Sequence, residues 1–269
     1  MKLLEVLNAR RSFGGLVAVD QVSFSVFSGQ IKAMIGPNGA GKTTLFNIIS
    51  GLLPTETGKI LFKGKNIHRL KPFQIAHAGI SRTFQNPSLF LKMSVLENVM
   101  VGRHSRTRWG FIGCGLRFPG QIREEKHIQE AALEQIAYVG LEHLADSPAG
   151  SLGFGQRRMV ELARALATEP ELLLLDEPAS GLNPKETEDL GLLIRKIRDT
   201  GVTILLVEHD MSLVMDISDD VLVLHNGSVI AEGTPSAVQD DQKVISVYLG
   251  KGLAHAAPGE KSSMRLRRP

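Results

Sequence analysis

Short apolar runs separated by helix-like patterns extend along most of the chain. Residues 22–26 alternate apolar and polar side chains, which predicts a half-buried strand, and residues 57–67 predict one further strand between glycine turns. Residues 172–175 and 204–207 are continuously apolar, as in strands buried on both faces. Asn226-Gly227 lies between two further β-prone runs and predicts a hairpin with a type I′ turn. Both ends of the chain therefore favour an α/β core.

The section from about residue 86 to residue 160 is mostly helical in pattern. Ser94 and Glu97 form a capping box, so we expect a helix to begin there. Residues 122–139 have helical spacing and stop at Gly140. The apolar face predicted for this helix contains Ile128, Ala132, Leu133, Ile136 and Ala137. The change of pattern predicts a helical subdomain inserted in the α/β core.

Composition places the chain among ordinary globular proteins. Of its 269 residues, 43% are hydrophobic and 22% are charged, and the net charge of +3 does not by itself suggest a nucleic-acid partner. The single cysteine, Cys114, excludes an internal disulfide. The start of the chain is too highly charged for a signal peptide, and no apolar run approaches the roughly 20 residues of a membrane helix. We expect a cytosolic chain that reaches a membrane only through a partner.

Two segments carry no regular pattern. Residues 102–120 are rich in arginine and glycine and predict a long surface loop or insertion. Residues 250–269 end in a basic stretch and predict a flexible C-terminal tail.

A glycine-rich loop between a strand and a helix carries the first candidate chemistry. The β-prone run 31–35 leads directly into a G-x-x-x-x-G-K-[ST] motif. The backbone N–H groups of such a loop, with the N-terminus of the next helix, point at phosphate oxygens. Lys42 would neutralise the β- and γ-phosphates, and the Thr43 hydroxyl would bind Mg²⁺. The expected ATP contacts are Gly36, Pro37, Asn38, Gly39, Ala40, Gly41, Lys42, Thr43 and Thr44.

An acidic pair follows the buried run at residues 172–175. A carboxylate at the carboxyl end of a strand lies beside the phosphate loop in an α/β sheet, so Asp176 can hold Mg²⁺ through water, the Walker B role. Glu177 is placed to orient and deprotonate the attacking water. On its own the pair could be a solvated acidic turn before the next helix, but the phosphate loop favours the catalytic interpretation.

The segment just before this strand has a specific resemblance. Residues 151–166, SLGFGQRRMVELARAL, resemble the Leu-Ser-Gly-Gly-Gln signature of ATP-binding cassette (ABC) proteins. We call residues 152–156 the signature segment; it matches the motif at Leu152, Gly155 and Gln156 and departs from it at Gly153 and Phe154. The resemblance implies that this segment binds the ATP of a second subunit in a head-to-tail dimer. Without the serine hydroxyl, backbone N–H groups and the helix dipole would hold that phosphate.

Four other positions are similar to ABC motifs. Gln85 resembles the Q-loop glutamine, which reaches Mg²⁺ and water, and His209 resembles the switch histidine, which contacts the γ-phosphate. Phe13 resembles the aromatic residue that stacks on adenine, although a simple core phenylalanine is the alternative. Asn183 occupies the D-loop position where many family members have Asp, and it can cap the next helix equally well.

The resemblance covers residues 4–249 and implies a single ABC ATP-binding domain. Its fold would be a P-loop NTPase core of α/β class, with an antiparallel β subdomain and a helical subdomain at about 86–160. The stretches FGGLVAVDQVSFSV, GISRTFQNPSLFLKMSVLENVMVGRH, DEPASGLNP and VYLG, with the Gly-Gln-Arg-Arg form of the signature, look closest to ATP-binding subunits of bacterial branched-chain amino acid importers, the LivG type. Amide and urea importers and the lipopolysaccharide-export ATPase share much of this pattern.

The same resemblance implies the partners. They are integral-membrane permease subunits, a second cassette that is identical or paralogous, and a periplasmic solute-binding protein. ATP and Mg²⁺ are the implied cofactors, and the chain would lie at the cytoplasmic face of the inner membrane. A DNA-repair or chromosome ABC ATPase is the alternative from a different class. The interval between the phosphate loop and the signature segment is short and lacks a sustained heptad pattern. This favours a transport ATPase that has no nucleic-acid partner.

Overall fold

The computed structural model describes residues 1–85, 88–103 and 119–249 of the chain. Its strands are β1 (Lys2–Phe13), β2 (Leu16–Phe27), β3 (Ile31–Ile35), β4 (Thr57–Phe62), β5 (Lys65–Asn66), β6 (Ile80–Arg82), β7 (Leu172–Asp176), β8 (Thr203–Val207), β9 (Asp220–His225) and β10 (Ser228–Gly233). Its α-helices are α1 (Lys42–Ile49), α2 (Pro72–Ala78), α3 (Val95–Arg103), α4 (Pro119–Tyr138), α5 (Phe154–Leu166), α6 (Pro184–Asp199), α7 (Met211–Ile217), α8 (Pro235–Gln239) and α9 (Gln242–Leu249).

The larger sheet has its central strands fully buried. The strand order is β10-β9-β3-β8-β7-β6, with parallel pairing from β6 to β9 and antiparallel pairing between β9 and β10. Every residue of β3, β7 and β8 is buried, which confirms the interpretation of the two continuous apolar runs. The turn between β9 and β10 has positive φ at Asn226 (47°) and Gly227 (79°), so the predicted hairpin is confirmed.

The smaller sheet is antiparallel, with the order β2-β1-β4-β5. Residues 57–67 do not form the single strand that the pattern predicts. Lys63 and Gly64, with φ of 52° and 73°, turn the chain so that β5 pairs back on β4. The prediction was wrong because a two-residue turn with positive φ, here Lys-Gly, interrupts an otherwise β-prone run.

Helix α1 lies between the two sheets and connects them. Leu45, Phe46 and Ile49 belong to one buried cluster with apolar residues of β1, β2 and β4 from the smaller sheet. The same cluster contains Met34 of β3 and Leu174 of β7 from the larger sheet. The loop that precedes α1 is therefore held where the two sheets meet.

Helices α3, α4 and α5 pack together beside the larger sheet. The capping box at the start of α3 is confirmed, since Ser94 Oγ accepts from Glu97 N–H at 3.0 Å and Glu97 Oε2 accepts from Ser94 N–H at 2.7 Å. On α4, Ala132 and Ile136 are buried as predicted, but Leu133 is 39% exposed and Ala137 is also exposed. The predicted face was too wide because α4 packs on α3 and α5 along a narrow stripe.

Most of the predicted loop at 102–120 lies outside the described residues, as does the predicted tail at 250–269. The described part of that loop belongs to the ends of α3 and α4. Within the described ranges, no helix combines the length and apolar character that crossing a bilayer requires.

Candidate active site

A cavity of about 460 Å³ opens at the carboxyl end of β3, between the phosphate loop and the smaller sheet. Its lining comprises Phe13, Leu16, Val17, Ala18, Asn38, Gly39, Ala40, Gly41, Lys42, Thr43, Thr44, Glu177, His209 and Asn226. These residues come from the two sheets, the phosphate loop and the segments that follow β7 and β8. The structure thus gathers residues from 13 to 226 around one concave space.

The phosphate loop is shaped by contacts that exclude a side chain. Gly41 has φ of 103°, and a Cβ there would lie only 2.3 Å from the carbonyl oxygen of Ala18. Glycine is the residue that meets both conditions without strain. A Cβ on Gly36 would likewise approach the Leu224 carbonyl oxygen to 2.2 Å. The loop therefore fits tightly against both the smaller sheet and β9.

Lys42 folds back over the loop that precedes it. Its ammonium group donates to the carbonyl oxygens of Gly36 at 2.7 Å and Pro37 at 3.1 Å, and the residue is 5% exposed. Burial lowers the pKa of Lys42, while the nearby carboxylates of Glu177 and Asp176 act in the opposite direction. An oxyanion at this point would give the ammonium group stronger, charge-assisted hydrogen bonds than the two carbonyls provide.

Glu177 is the centre of a hydrogen-bond network. Its Oε2 accepts from Gln85 Nε2 at 2.8 Å, and its Oε1 lies 2.9 Å from His209 Nε2. Glu177 has φ of 48°, which directs the chain away from β7 immediately after its last residue. The structure therefore brings the expected base, Glu177, together with Gln85 and His209, which the family resemblance implies for catalysis, although Gln85 and Glu177 are 92 positions apart.

Asp176 is engaged by a residue that the sequence analysis missed. The side chains of Asp176 and Arg82 are 5% and 7% exposed, and Arg82 Nη2 donates to Asp176 Oδ2 at 2.7 Å. Arg82 also donates to Asn47 Oδ1 at 2.7 Å and to Ser50 Oγ at 2.8 Å on α1 and its C-cap. This arginine fixes the end of β7 against the helix that follows the phosphate loop. The only sequence signal was its place three residues before Gln85.

Glu208 was also missed, although it immediately precedes His209. It is 3% exposed, and its Oε1 accepts from Ala179 N–H at 2.6 Å. Its Oε2 accepts from His209 N–H at 2.8 Å. A buried carboxylate needs such hydrogen-bond donors. Through these two bonds, Glu208 connects the backbone of His209 to the segment after Glu177.

The end of that segment behaves as the sequence predicts. Asn183 Oδ1 accepts from Glu186 N–H at 3.0 Å, and Glu186 Oε2 accepts from Asn183 N–H at 2.9 Å. Asn183 is therefore the N-cap of α6, with Pro184 at the first helical position.

Phe13 lies at the rim of the cavity. Phe13 is 46% exposed, so the alternative of a simple core phenylalanine is wrong. The guanidinium of Arg11 lies 5.1 Å from the centroid of the ring. The ring offers an accessible aromatic surface next to the phosphate loop.

The signature segment lies apart from this cavity. It begins α5, where Gln156 Oε1 accepts from Gly153 N–H at 3.0 Å. Phe154 is 41% exposed, and one side of its ring packs against Gly181, where a Cβ would come within 2.9 Å of it. None of residues 152–156 lines the cavity that contains the phosphate loop.

A phosphate loop between β3 and α1, an acidic pair after β7 and a helix that begins with a glycine-bearing turn define a P-loop ATPase of the cassette type. Residues 19–180 match the family model described as ABC transporter. Residues 228–254 match a second model, described as branched-chain amino acid ATP-binding cassette transporter. The chain belongs to the ABC transporter family and is one of its ATP-hydrolysing, nucleotide-binding proteins.

Two named relatives match almost the whole chain. The high-affinity branched-chain amino acid transport ATP-binding protein BraF of Pseudomonas aeruginosa is 44% identical over 93% of this chain and 98% of its own length. The corresponding protein LivG of Escherichia coli K12 is 42% identical with the same coverage. The resemblance stated from the sequence is thereby confirmed.

Solved structures support the same fold. A nucleotide-free ATP-binding cassette from an ABC transporter superposes with a TM-score of 0.82 and 35% identity, covering 93% of this chain and 100% of that one. A dimeric cassette in a post-hydrolysis state, bound to ADP and phosphate, gives a TM-score of 0.74 and 25% identity, covering 87% and 99%. The predicted α/β class with a P-loop cassette core is confirmed.

Proposed function

We propose that this chain is the ATP-hydrolysing subunit of an importer of branched-chain amino acids. The hydrogen-bond network of Gln85, Glu177 and His209 beside the phosphate loop is the observation that carries the catalytic part of the proposal. The cargo rests on the named relatives and on the match of residues 228–254. Residues 4–249 would act as one ATP-binding domain, with the helical subdomain at about 86–160.

Nucleotide binding follows from the lining of the cavity. The adenine ring would stack on Phe13, whose ring is exposed at the rim. Loop N–H groups and the start of α1 would hold the phosphates, with Lys42 changing its partners from carbonyls to phosphate oxygens. The nine expected ATP contacts at 36–44 are consecutive in the chain, and seven of them line the cavity.

The predicted metal ligands are chemically suited to Mg²⁺. Thr43 offers a hydroxyl oxygen, Gln85 an amide oxygen and Asp176 a carboxylate, and Mg²⁺ prefers such hard oxygen ligands. When bound with ATP, Mg²⁺ would neutralise the charge on the β- and γ-phosphates. Arg82 would keep Asp176 in place at the end of β7.

Hydrolysis would use Glu177 as the general base. Its carboxylate would accept a proton from the attacking water, while the Gln85 amide and the His209 ring fix its orientation. His209 would also donate to the γ-phosphate. A carboxylate held from two sides supports this assignment, because in-line attack needs an oriented nucleophile.

Two chains would complete each site. Because the signature segment lies outside the cavity of its own chain, we propose that it covers the ATP of a second cassette, identical or paralogous, in a head-to-tail dimer. Closure of this dimer would move the helical subdomains and the permease subunits bound to them. The chain would work at the cytoplasmic face of the membrane, and a periplasmic solute-binding protein would deliver the amino acid.

Replacing Glu177 tests the catalytic assignment. In Glu177→Gln, ATP should still bind, but steady-state hydrolysis should fall by about 100-fold or more because the base is lost. An ATP-dependent dimer should accumulate in size-exclusion chromatography with light scattering. Glu188→Gln, which changes an exposed glutamate on α6, is the matched control and should behave as wild type. Hydrolysis at the wild-type rate by Glu177→Gln would assign the base to another residue.

A further inference from the structure

Two buried charged residues of α5 hold the backbone of a single residue outside that helix. Arg158 and Glu161 are 3% and 2% exposed. Arg158 Nη1 donates to the carbonyl oxygen of Phe84 at 2.8 Å, and Glu161 Oε1 accepts from Phe84 N–H at 3.0 Å. We call Arg158 and Glu161 the Phe84 clamp. Both backbone polar groups of Phe84 are thereby fixed to α5.

One end of the clamp leads to the catalytic network. Gln85 follows Phe84 directly, and its amide donates to Glu177 Oε2 at 2.8 Å. Arg158 Nη2 also lies 3.5 Å from the carbonyl oxygen of Glu177. A shift of α5 would therefore reach the backbone of Phe84 through two hydrogen bonds and that of Gln85 through the peptide bond between Phe84 and Gln85.

The other end leads to the signature segment. The guanidinium of Arg158 lies 5.5 Å from the ring centroid of Phe154, one helical turn earlier. The ring of Phe154 also packs against Gly181. Phe154 thus lies between the clamp and the loop that precedes α6, at the end of α5 that would face the ATP of the second chain.

Stability alone does not account for the clamp. A buried ion pair can often be replaced by apolar side chains without loss of stability, since desolvation offsets the attraction of the charges. Arg158 Nη1 and Glu161 Oε2 are 3.5 Å apart, and burial raises the pKa of Glu161. Among the described residues, Glu161 Oε2 and Arg158 Nε have no hydrogen-bond partner. The pair is buried and incompletely satisfied, so its contacts with Phe84 call for an explanation other than stability.

We propose that the Phe84 clamp is a positioning device that couples the signature segment to the Gln85 amide beside Glu177. Engagement of the signature segment by the second chain's ATP would move Phe154 and α5, and the clamp would carry that movement to Gln85. Hydrolysis at one site would then depend on occupancy of the other. This inference rests on the proposed function, because it needs the head-to-tail dimer.

The test uses a double variant that is expected to fold. Arg158→Met with Glu161→Gln removes both charges, so no unpaired ion stays buried, and the new amide oxygen can still accept from Phe84 N–H. Arg157→Met, one residue away, is the control. Thermal unfolding should show that the wild type, the double variant and Arg157→Met are all folded. The double variant should lose about tenfold in kcat with the KM for ATP within about twofold, and its Hill coefficient should fall towards 1.

A double-mutant cycle separates positioning from a general structural effect. In a Gln85→Ala background no side-chain amide at position 85 is left for the clamp to position beside Glu177, so the double substitution should reduce hydrolysis by no more than about twofold. Single-turnover assays extend the measurement to slow variants. Wild-type kcat in the folded double variant, or a full tenfold loss in the Gln85→Ala background, would overturn the proposal. A failure of the proposed function is distinguishable, since Glu177→Gln would then hydrolyse ATP normally.

Discussion

The contacts of Lys42 suit it to bind a phosphate. A buried ammonium group is costly, and here it is stabilised by the Gly36 and Pro37 carbonyls and by nearby carboxylates. On binding, the phosphate oxygens of ATP would replace the two neutral carbonyl acceptors of Lys42. The Lys42 side chain should therefore contribute a large share of the free energy of ATP binding.

Lys42→Ala should therefore abolish stabilisation by ATP. A ligand that binds the folded chain at 100 times its Kd stabilises it by about 2.7 kcal/mol, and wild type should show the corresponding rise in Tm with ATP. In Lys42→Ala that rise should disappear, while Lys185→Ala, which removes an exposed lysine from α6, should retain it. A full ATP-induced rise in Tm in Lys42→Ala would contradict the phosphate-loop assignment. Differential scanning fluorimetry over a range of ATP concentrations makes the measurement.

At the scale of single residues, the sequence predicted those that belong to spaced motifs. Lys42 and Glu177 follow from local patterns, and Gln85 and His209 follow from the family resemblance. Arg82 and Glu208 were not predicted, because their importance lies in partners that are distant in sequence. Arg82 and Asp176 are 94 positions apart, and no spacing rule connects them.

At the scale of elements, the packing of α3 on α5 depends on one close approach. A Cβ on Gly102 would lie 2.2 Å from the carbonyl oxygen of Arg164 and 3.3 Å from the Cβ of Ala167. The backbones of the two helices can therefore approach this closely only with glycine at position 102. Since α5 carries both the signature segment and the Phe84 clamp, this contact also sets their position.

Gly102→Ala should push the two helices apart. Overpacking of this kind costs about 1–3 kcal/mol, so the midpoint of urea unfolding should decrease with little change in slope. Gly15→Ala is the control, because a Cβ on Gly15 meets no atom within 4 Å. An unchanged midpoint for Gly102→Ala would mean that the helices can move apart without cost. Hydrolysis should decrease together with stability, since α5 would be displaced.

The elements that the sequence predicted well are those with a single dominant signal. Buried runs gave β7 and β8, and Asn-Gly gave the hairpin of β9 and β10. The pairing of β5 with β4 was missed because the turn residue Lys63 has no preference for positive φ. The exposed side of α4 was missed because periodicity defines a face, whereas its width depends on which helices pack against it.

At the scale of the molecule, the site exists only because two sheets meet around α1. The smaller sheet supplies Phe13, and the segments that follow β7 and β8 of the larger sheet supply Glu177 and His209. Sequence patterns predicted strands and helices but not which strands would be neighbours, since pairing depends on contacts across the whole chain. The family resemblance supplied that arrangement in advance, together with the expectation of a second chain.

Uptake by cells and ATP hydrolysis in the presence of membranes or DNA distinguish the possible cargoes and partners. Cells that lack the chain should lose high-affinity uptake of leucine, isoleucine and valine but keep uptake of urea and amides, and lipopolysaccharide export should be unaffected. The wild-type chain should restore uptake, and Lys42→Ala should not, because a chain that cannot bind ATP cannot close the dimer.

Hydrolysis by the purified chain should rise with membranes that contain its permeases and stay constant with DNA. Stimulation by DNA alone would instead favour the chromosome or repair class, whose cassettes use the same dimer for a different purpose.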